Sequence, residues 1–407
     1  MKPLGPIPSG YIAIGGELAI GGRRVSDLIQ NKETPLFVYS GQLIRDRVEQ
    51  LRSAMPERIS IHYAIKANPY DEVLKLFNGL MDGFDIASGG ELDLVLAAGI
   101  DPADVSFAGP GKRDAELEAA IIAGVTLNLE SEGEADRALK ISERLGITPR
   151  LAVRVNPDFD LKGSGMKMGG GAKPFGVDAA RVPALARRVI AAGAEWRGFH
   201  IFAGSQALGA EAIAETQAQT LMLAAQLAEA SGAELPRCNL GGGFGIPYFF
   251  GDEPLDIALV GSKLGEALKN LPPVLANTDF CIELGRYLVG EAGVYLTRIV
   301  DRKESHGEVF LITDGGLHHQ LAASGNFGTV VRRNYPVAIA GRFGAAVEEE
   351  VSVVGCLCTP LDRLADKAGL PRANVGDIVA VFCAGAYGAS ASPSAFLGQG
   401  PADEMLV

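Results

Sequence analysis

Apolar residues recur along this chain with two alternating periods. From about residue 59 to 285, a short β-branched or apolar run is followed repeatedly by a stretch with apolar residues three and four positions apart. That is the pattern of a strand followed by an amphipathic helix. Eight such runs can be counted: ISIHYAIK ending at Lys66, GFDIAS (83–88), VSFAG, VTLNLE (125–130), LAVRVNP (151–157), GFHIFAG (198–204), CNLGGG (238–243) and CIELGR (281–286). Intervening segments such as SGGELDLVLAAG and SEGEADRALKISERLG read as capped helices ending in glycine. Eight alternating units predict an α/β protein built on a (β/α)8 TIM-type barrel, placed at residues 36–285.

The pattern then changes. EAGVYLTRIVDRKE, EVFLITDGG and VGDIVAVF are strand-like with little helical periodicity between them, so a β-domain follows the barrel. The opening GYIAIGGELAIGG also reads as short strands able to pair with it, making that domain discontinuous, residues 1–35 and 286–407. GSGMKMGGGAKPFG (163–176) is glycine-rich enough to be a mobile loop above the barrel mouth.

A length of 407 residues with 47% hydrophobic content agrees with two cores. The net charge of −12 argues against nucleic acid or an anionic membrane as partner and favours a small molecule or another protein. With no signal-like start and no apolar run long enough to span a bilayer, a cytoplasmic protein is expected. Five cysteines are too sparse for a disulfide framework, and Cys356-Leu-Cys358 lacks metal spacing and a second Cys/His pair, so no metal is expected.

Barrel active sites form where strands end. Polar residues stand at those ends here: Lys66, Asp85, Arg154, Ser205, Gly241–Gly243 and Glu283. Lys66 follows HYAI, where partial desolvation would lower its pKa and suit imine formation, although the same position suits a lysine that snorkels to the rim. NLGGGFGIPY (239–248) lets backbone N–H groups approach a phosphate, with Arg286 and Ser205 as supplements, but matches neither the Walker nor the dinucleotide pattern. Glu283 in IELGR could hold a pyridine nitrogen protonated, or form a structural salt bridge with Arg154. A lysine, a phosphate cradle and a pyridinium partner together point to pyridoxal 5′-phosphate (PLP).

HYAIKANPY, FDIASGGEL, GSQ, GGGFG, E-x-GR, DGG, C-x-x-x-D and GAYG, in this order over nearly the whole chain, resemble the fold-type III PLP-dependent decarboxylases, which include diaminopimelate and ornithine decarboxylases and share the alanine racemase-like fold. The resemblance implies that Lys66 is the Schiff-base lysine, that Glu283 bonds the ring nitrogen, that Gly241, Gly242, Gly243, Ser205 and Arg286 hold the phosphate, and that Gly285 is also a cofactor-binding residue. It implies that Asp85 and Arg154 order the lysine and the cofactor hydroxyl, and that Tyr387 contacts the cofactor. It further implies a head-to-tail homodimer in which Cys358 protonates the product carbon from across the interface, with Asp362, Arg286 and Tyr387 among the residues that bind the substrate. Cys356 has no counterpart and reads as a buried structural thiol.

Three departures concern substrate choice. Thr359 stands where the family carries an acidic residue for a distal amine, so that salt bridge cannot form. Phe202 replaces the histidine expected to stack on the cofactor ring, keeping stacking and losing a polar contact. Leu284 replaces a proline. With HHQLAASGNFGTVVRRNYPVAIAGR (318–342), these resemble a subgroup linked to exosortase and biosynthetic gene clusters, one branch of which acts on an aminoacyl group carried on an acyl-carrier protein. Arg332, Arg333 and Tyr335 fall near the family's substrate-binding segment, where they meet a distal carboxylate, an acidic carrier's phosphopantetheine, or only solvent. A racemase, a non-catalytic regulatory relative and a simple PLP carrier are the competing readings; the decarboxylase motifs, the retained Lys66, Glu283 and Cys358, and the added β-domain disfavour each in turn.

Overall fold

A computed structural model describes residues 1–30, 32–325 and 333–407. The chain forms two compact units, one of residues 48–245 and 255–285, the other of residues 1–47, 246–254 and 286–407.

The first unit is the barrel. Its strands are β1 (Ile59–Ala64), β2 (Gly83–Ile86), β3 (Val105–Phe107), β4 (Thr126–Leu129), β5 (Arg150–Asn156), β6 (Glu195–Ile201), β7 (Arg237–Gly242) and β8 (Asp279–Leu284). Each is parallel to the next. The ring closes where β8 pairs with β1, Phe280 opposite Ile59 through Leu284 opposite Tyr63. Parallel strands covered by helices are buried on both sides, which explains the near-continuous apolar runs. The helices start as the serines predict: Ser88 Oγ accepts from the Glu91 N–H and Ser131 Oγ from the Glu134 N–H, both at 3.1 Å.

One glycine of the NLGGG run is required by strand packing. A Cβ on Gly242 would lie 2.0 Å from the Glu283 carbonyl oxygen on β8. Gly242→Ala is therefore expected to force β7 and β8 apart and destabilise the protein by about 1–3 kcal/mol. Thermal unfolding checks this, and an unchanged midpoint would mean the strands yield freely.

The glycine-rich 163–176 segment is less free than its composition implies. Met166–Lys167 pairs antiparallel with Gly204–Ser205, and the Met168 and Gly169 N–H groups both donate to the Ala203 carbonyl at 3.1 Å. These contacts pin it to the chain that follows β6.

The second unit is built on Gly293–Ser305, a strand of 13 residues antiparallel to Glu308–Thr313, Ile378–Val381 and Leu36–Tyr39. Glu349–Val354, Arg363–Leu370, Val337–Ile339 and Asp403–Leu406 complete the sheets. Two expectations are corrected here. Leu36–Tyr39 belongs to this unit and not to a barrel beginning at 36: its LFVY run is buried throughout, and burial on both faces looks the same in either sheet. The strands Ile12–Ile14 and Glu17–Ile20 do not join the C-terminal sheets. They form a small sheet with Arg23–Arg24, and its Leu18 and Ile20 pack on Leu36, Val38, Val294 and Leu296.

Candidate active site

Four of the polar residues predicted at strand ends meet on one cavity wall, and Ser205 and Gly241–Gly243 do not line it. Lys66 lies on the turn Ile65–Ala67 directly after β1, Asp85 on β2, Arg154 on β5, and Glu283 near the end of β8. They line one cavity of about 130 Å³ together with His200, Phe202, Gly109, Met168 and Phe175.

Glu283 is its electrostatic centre. It is 6% exposed, His200 Nε2 lies 2.9 Å from its Oε2, and Lys66 Nζ lies 3.6 Å from its Oε1. Burial alone would push this carboxyl up. The hydrogen bond with His200 and the charges of Lys66, His200 and Arg154 outweigh burial and hold Glu283 well below the usual carboxylate range.

Two expectations change at this point. Arg154 does not pair with Glu283 but with Glu130, at 2.7 Å, and its guanidinium sits 5.0 Å from the Phe175 ring centroid. The Lys66 side chain is 45% exposed, so the turn lifts it out of the apolar strand and the expected desolvation is not what the fold delivers. What surrounds Lys66 instead is the Glu283 carboxylate and the Phe202 ring, whose centroid is 5.7 Å from Nζ.

Several buried polar atoms on these walls carry no hydrogen bond within the protein: both carboxylate oxygens of Asp85 and Nδ1 of His200. His62 Nδ1 approaches Asp85 at 3.4 Å, an ion-pair distance. Buried groups of this kind normally find partners. A primary amine, an aromatic face, an ionised carboxylate and unsatisfied polar atoms around one small cavity fit a charged heteroaromatic aldehyde such as PLP. The glycine turn fits less simply: the Gly241 N–H already donates to Asn239 Oδ1 at 2.8 Å, and the Ala207 N–H takes the Gly243 carbonyl. Ser205 lies on the short strand facing Met166, and Gly285 packs beside Ala67, next to Lys66.

Residues 41–290 match the family model for the pyridoxal binding domain of the pyridoxal-dependent decarboxylases. The chain belongs to that family. The chain is 36% identical over 388 residues to the L-glutamyl-[BtrI acyl-carrier protein] decarboxylase of Niallia circulans, covering 94% of this chain and 90% of that protein. It is 34% identical to the diaminopimelate decarboxylase of Aquifex aeolicus, covering 92% and 86%. The crystal structure of diaminopimelate decarboxylase from Helicobacter pylori complexed with L-lysine superimposes with a TM-score of 0.83 at 28% identity, covering 94% and 93%. This protein is thus a PLP-dependent amino-acid decarboxylase with a TIM barrel and a β-domain.

Within the second unit, the decarboxylase collects other predicted residues. Arg286 Nη1 donates to the Tyr248 hydroxyl at 2.8 Å, and its guanidinium lies 4.7 Å from the Tyr387 ring centroid. Tyr335 packs on Tyr248 at 4.7 Å, and Arg333 sits 3.8 Å above the Phe249 ring. Burial pushes the Tyr248 hydroxyl up to about 12 despite the Arg286 charge. Tyr387 holds a left-handed φ of 58°, a strained conformation for an aromatic residue. Arg332 lies outside the described residues.

Cys358 is an exposed free thiol on the loop that carries Thr359. Cys356 is exposed too, not the buried thiol expected, because the turn directs Leu357 inward and the cysteines on either side of it outward. Asp362, expected at the substrate, is buried, and its carboxylate accepts the N–H groups of Leu317 (2.7 Å) and Leu357 (2.8 Å). It closes the loop from within. Among the described residues, no helix is long and apolar enough to cross a membrane.

The sequence reading missed His200 and Glu130. His200 is two positions before Phe202 and so shares its strand face, and Glu130 ends VTLNLE as Glu283 ends its own strand. Both signals were present.

Proposed function

We propose that this decarboxylase acts on an α-amino acid whose far end carries no ammonium group, with Lys66, Glu283 and Cys358 as its chemical groups. The observation that carries the reading is the cavity in which Lys66, Glu283 and His200 converge at the strand ends. When bound, PLP supplies the electron sink that accepts the bonding pair as carbon dioxide departs. Lys66 Nζ binds the cofactor from the cavity wall. Glu283 stays ionised, so an Oε can hold a proton on a ring nitrogen, while His200 fixes its orientation through Nε2. Phe202 offers a flat apolar face. Cys358 Sγ delivers a proton to the product carbon, in a homodimer of this chain, and Cys358→Ala is expected to retain cofactor while slowing turnover by on the order of 100-fold. Wild-type rates in that variant would remove the thiol from the chemistry.

Thr359 supports the substrate class, because a hydroxyl offers no counter-charge to a distal ammonium. The likeness to an enzyme acting on a glutamyl group carried by an acyl-carrier protein favours a second reading, in which a carrier presents the amino acid and Arg333, exposed beside Phe249, meets an anionic part of it. The test is incubation of the PLP-loaded protein with free L-, D- and diamino acids, meso-diaminopimelate among them, and with glutamyl-loaded carrier, scoring product mass. Turnover of meso-diaminopimelate above all others would overturn the proposed substrate class. Turnover confined to the carrier would select the second reading.

A further inference from the structure

The barrel holds a buried carboxylate that the chemistry above does not use. Glu130, at the end of β4, has a side chain 2% exposed, and three donors from three different parts of the chain converge on it. Its Oε1 accepts the Gly109 N–H at 2.6 Å and Arg154 Nη1 at 2.7 Å, and its Oε2 accepts the Gly176 N–H at 3.0 Å. Gly109, Arg154 and Phe175, the neighbour of Gly176, all line the cavity.

The grip is two-sided. Lys112 Nζ, 1% exposed, donates to the Gly109 carbonyl at 2.6 Å and to the Asn128 carbonyl at 3.0 Å, and pairs with Glu134 at 2.8 Å. Gly109 is therefore held through its N–H by Glu130 and through its carbonyl by Lys112. Gly176 is fixed as firmly: with φ at +72°, a Cβ there would lie 2.8 Å from the Asn156 nitrogen on β5. A buried anion with three donors stands or falls as a unit, since losing the charge strands an arginine in low dielectric.

We propose that Glu130 is a positioning residue that sets the outer wall of the cavity before any ligand arrives, by tying the β3 loop, Arg154 and the glycine-rich 163–176 segment to one carboxylate. It touches no reacting group and acts through Arg154, Gly109 and Phe175. The proposal rests on the cavity being the active site and is independent of which amino acid fills it.

The test compares PLP-loaded wild type with Glu130→Gln and Glu130→Asp by hydrogen exchange and mass spectrometry. Glutamine keeps one acceptor and loses the charge; aspartate keeps the charge and loses reach. Exchange in the 163–176 peptides is expected to rise on the order of tenfold or more in Glu130→Gln, with peptides covering β1 and β8 unchanged. Dissociation of PLP from the same samples should quicken in Glu130→Gln and recover in part in Glu130→Asp. A general structural role would raise exchange throughout the barrel and give no such partial rescue. Unchanged 163–176 exchange in both variants would overturn the proposal, and so would a barrel-wide increase in both. If Glu130→Gln fails to fold, Glu130→Asp alone decides by the same two readings. Loss of turnover on every candidate substrate with the exchange pattern as expected would instead count against the proposed chemistry.

Discussion

Replacing Lys66 with alanine is expected to abolish the visible absorbance of the lysine-linked cofactor and to cut turnover by on the order of 10³-fold or more. Lys66 is the lysine on the cavity wall, at 3.6 Å from Glu283 and facing the Phe202 ring. Truncation removes the amine proposed to bind the cofactor and the Lys66 charge beside the Glu283 carboxylate. His200 remains at 2.9 Å, so Glu283 keeps a hydrogen-bond partner and the barrel is expected to stay folded. A circular dichroism spectrum like that of wild type, with the visible band gone, is the expected pair of results. A preserved band would mean that another amine holds the cofactor, and the assignment of Lys66 would fall.

Glu283→Gln should have the second largest effect, lowering turnover by on the order of 100-fold or more while PLP still binds. An amide cannot carry the negative charge that stabilises a protonated ring nitrogen, although it keeps nearly the same shape. The charge is a deliberate feature of the site: burial opposes it, and His200, Lys66 and Arg154 overcome burial to keep it ionised. The direction of pH dependence follows. A carboxyl depressed in the folded state contributes stability that is fully present above its unfolded pKa of about 4.3 and is lost as pH falls through the lower folded value. Wild type should therefore lose stability relative to Glu283→Gln on going from neutral to strongly acidic solution, as thermal unfolding at several pH values would record. Turnover within about threefold of wild type in the variant would remove the ring-nitrogen role.

How much of this was written in the sequence depends on the range of the interaction. The ISIHYAIK and CIELGR runs announced β1 and β8 because a short, nearly continuous apolar run is a local signal, and Lys66 and Glu283 were legible as charges at the ends of those runs. Their partners were not. His200 and Glu283 are 83 residues apart, and Glu130 and Arg154 are 24 apart; which acid meets which base depends on the register of β4 to β8 around a closed ring. The sequence offered Arg154 and Glu283 as a pair on chemical grounds alone, and chemistry is satisfied equally by either arrangement.

The same limit explains the boundary at residue 36. LFVY is buried throughout, and an apolar run of four cannot declare whether helices or a second sheet cover it. The CLCTPLD turn shows it at a smaller scale: the sequence specifies residue types, while the backbone path turns Asp362 inward onto two N–H groups and leaves the thiols of Cys356 and Cys358 outside.

By itself, then, the sequence determined the alternation of strand and helix, the eightfold ring, the kind of cofactor chemistry and the positions of Lys66 and Glu283 at strand ends. These follow from local periodicity and from the few side chains able to perform that chemistry. Only the tertiary structure decided that Lys66 is exposed, that His200 orients Glu283, and that Glu130 ties Arg154 to two glycine backbones. Those outcomes are set by strand register and loop path, which bring together groups that no local pattern in the chain relates.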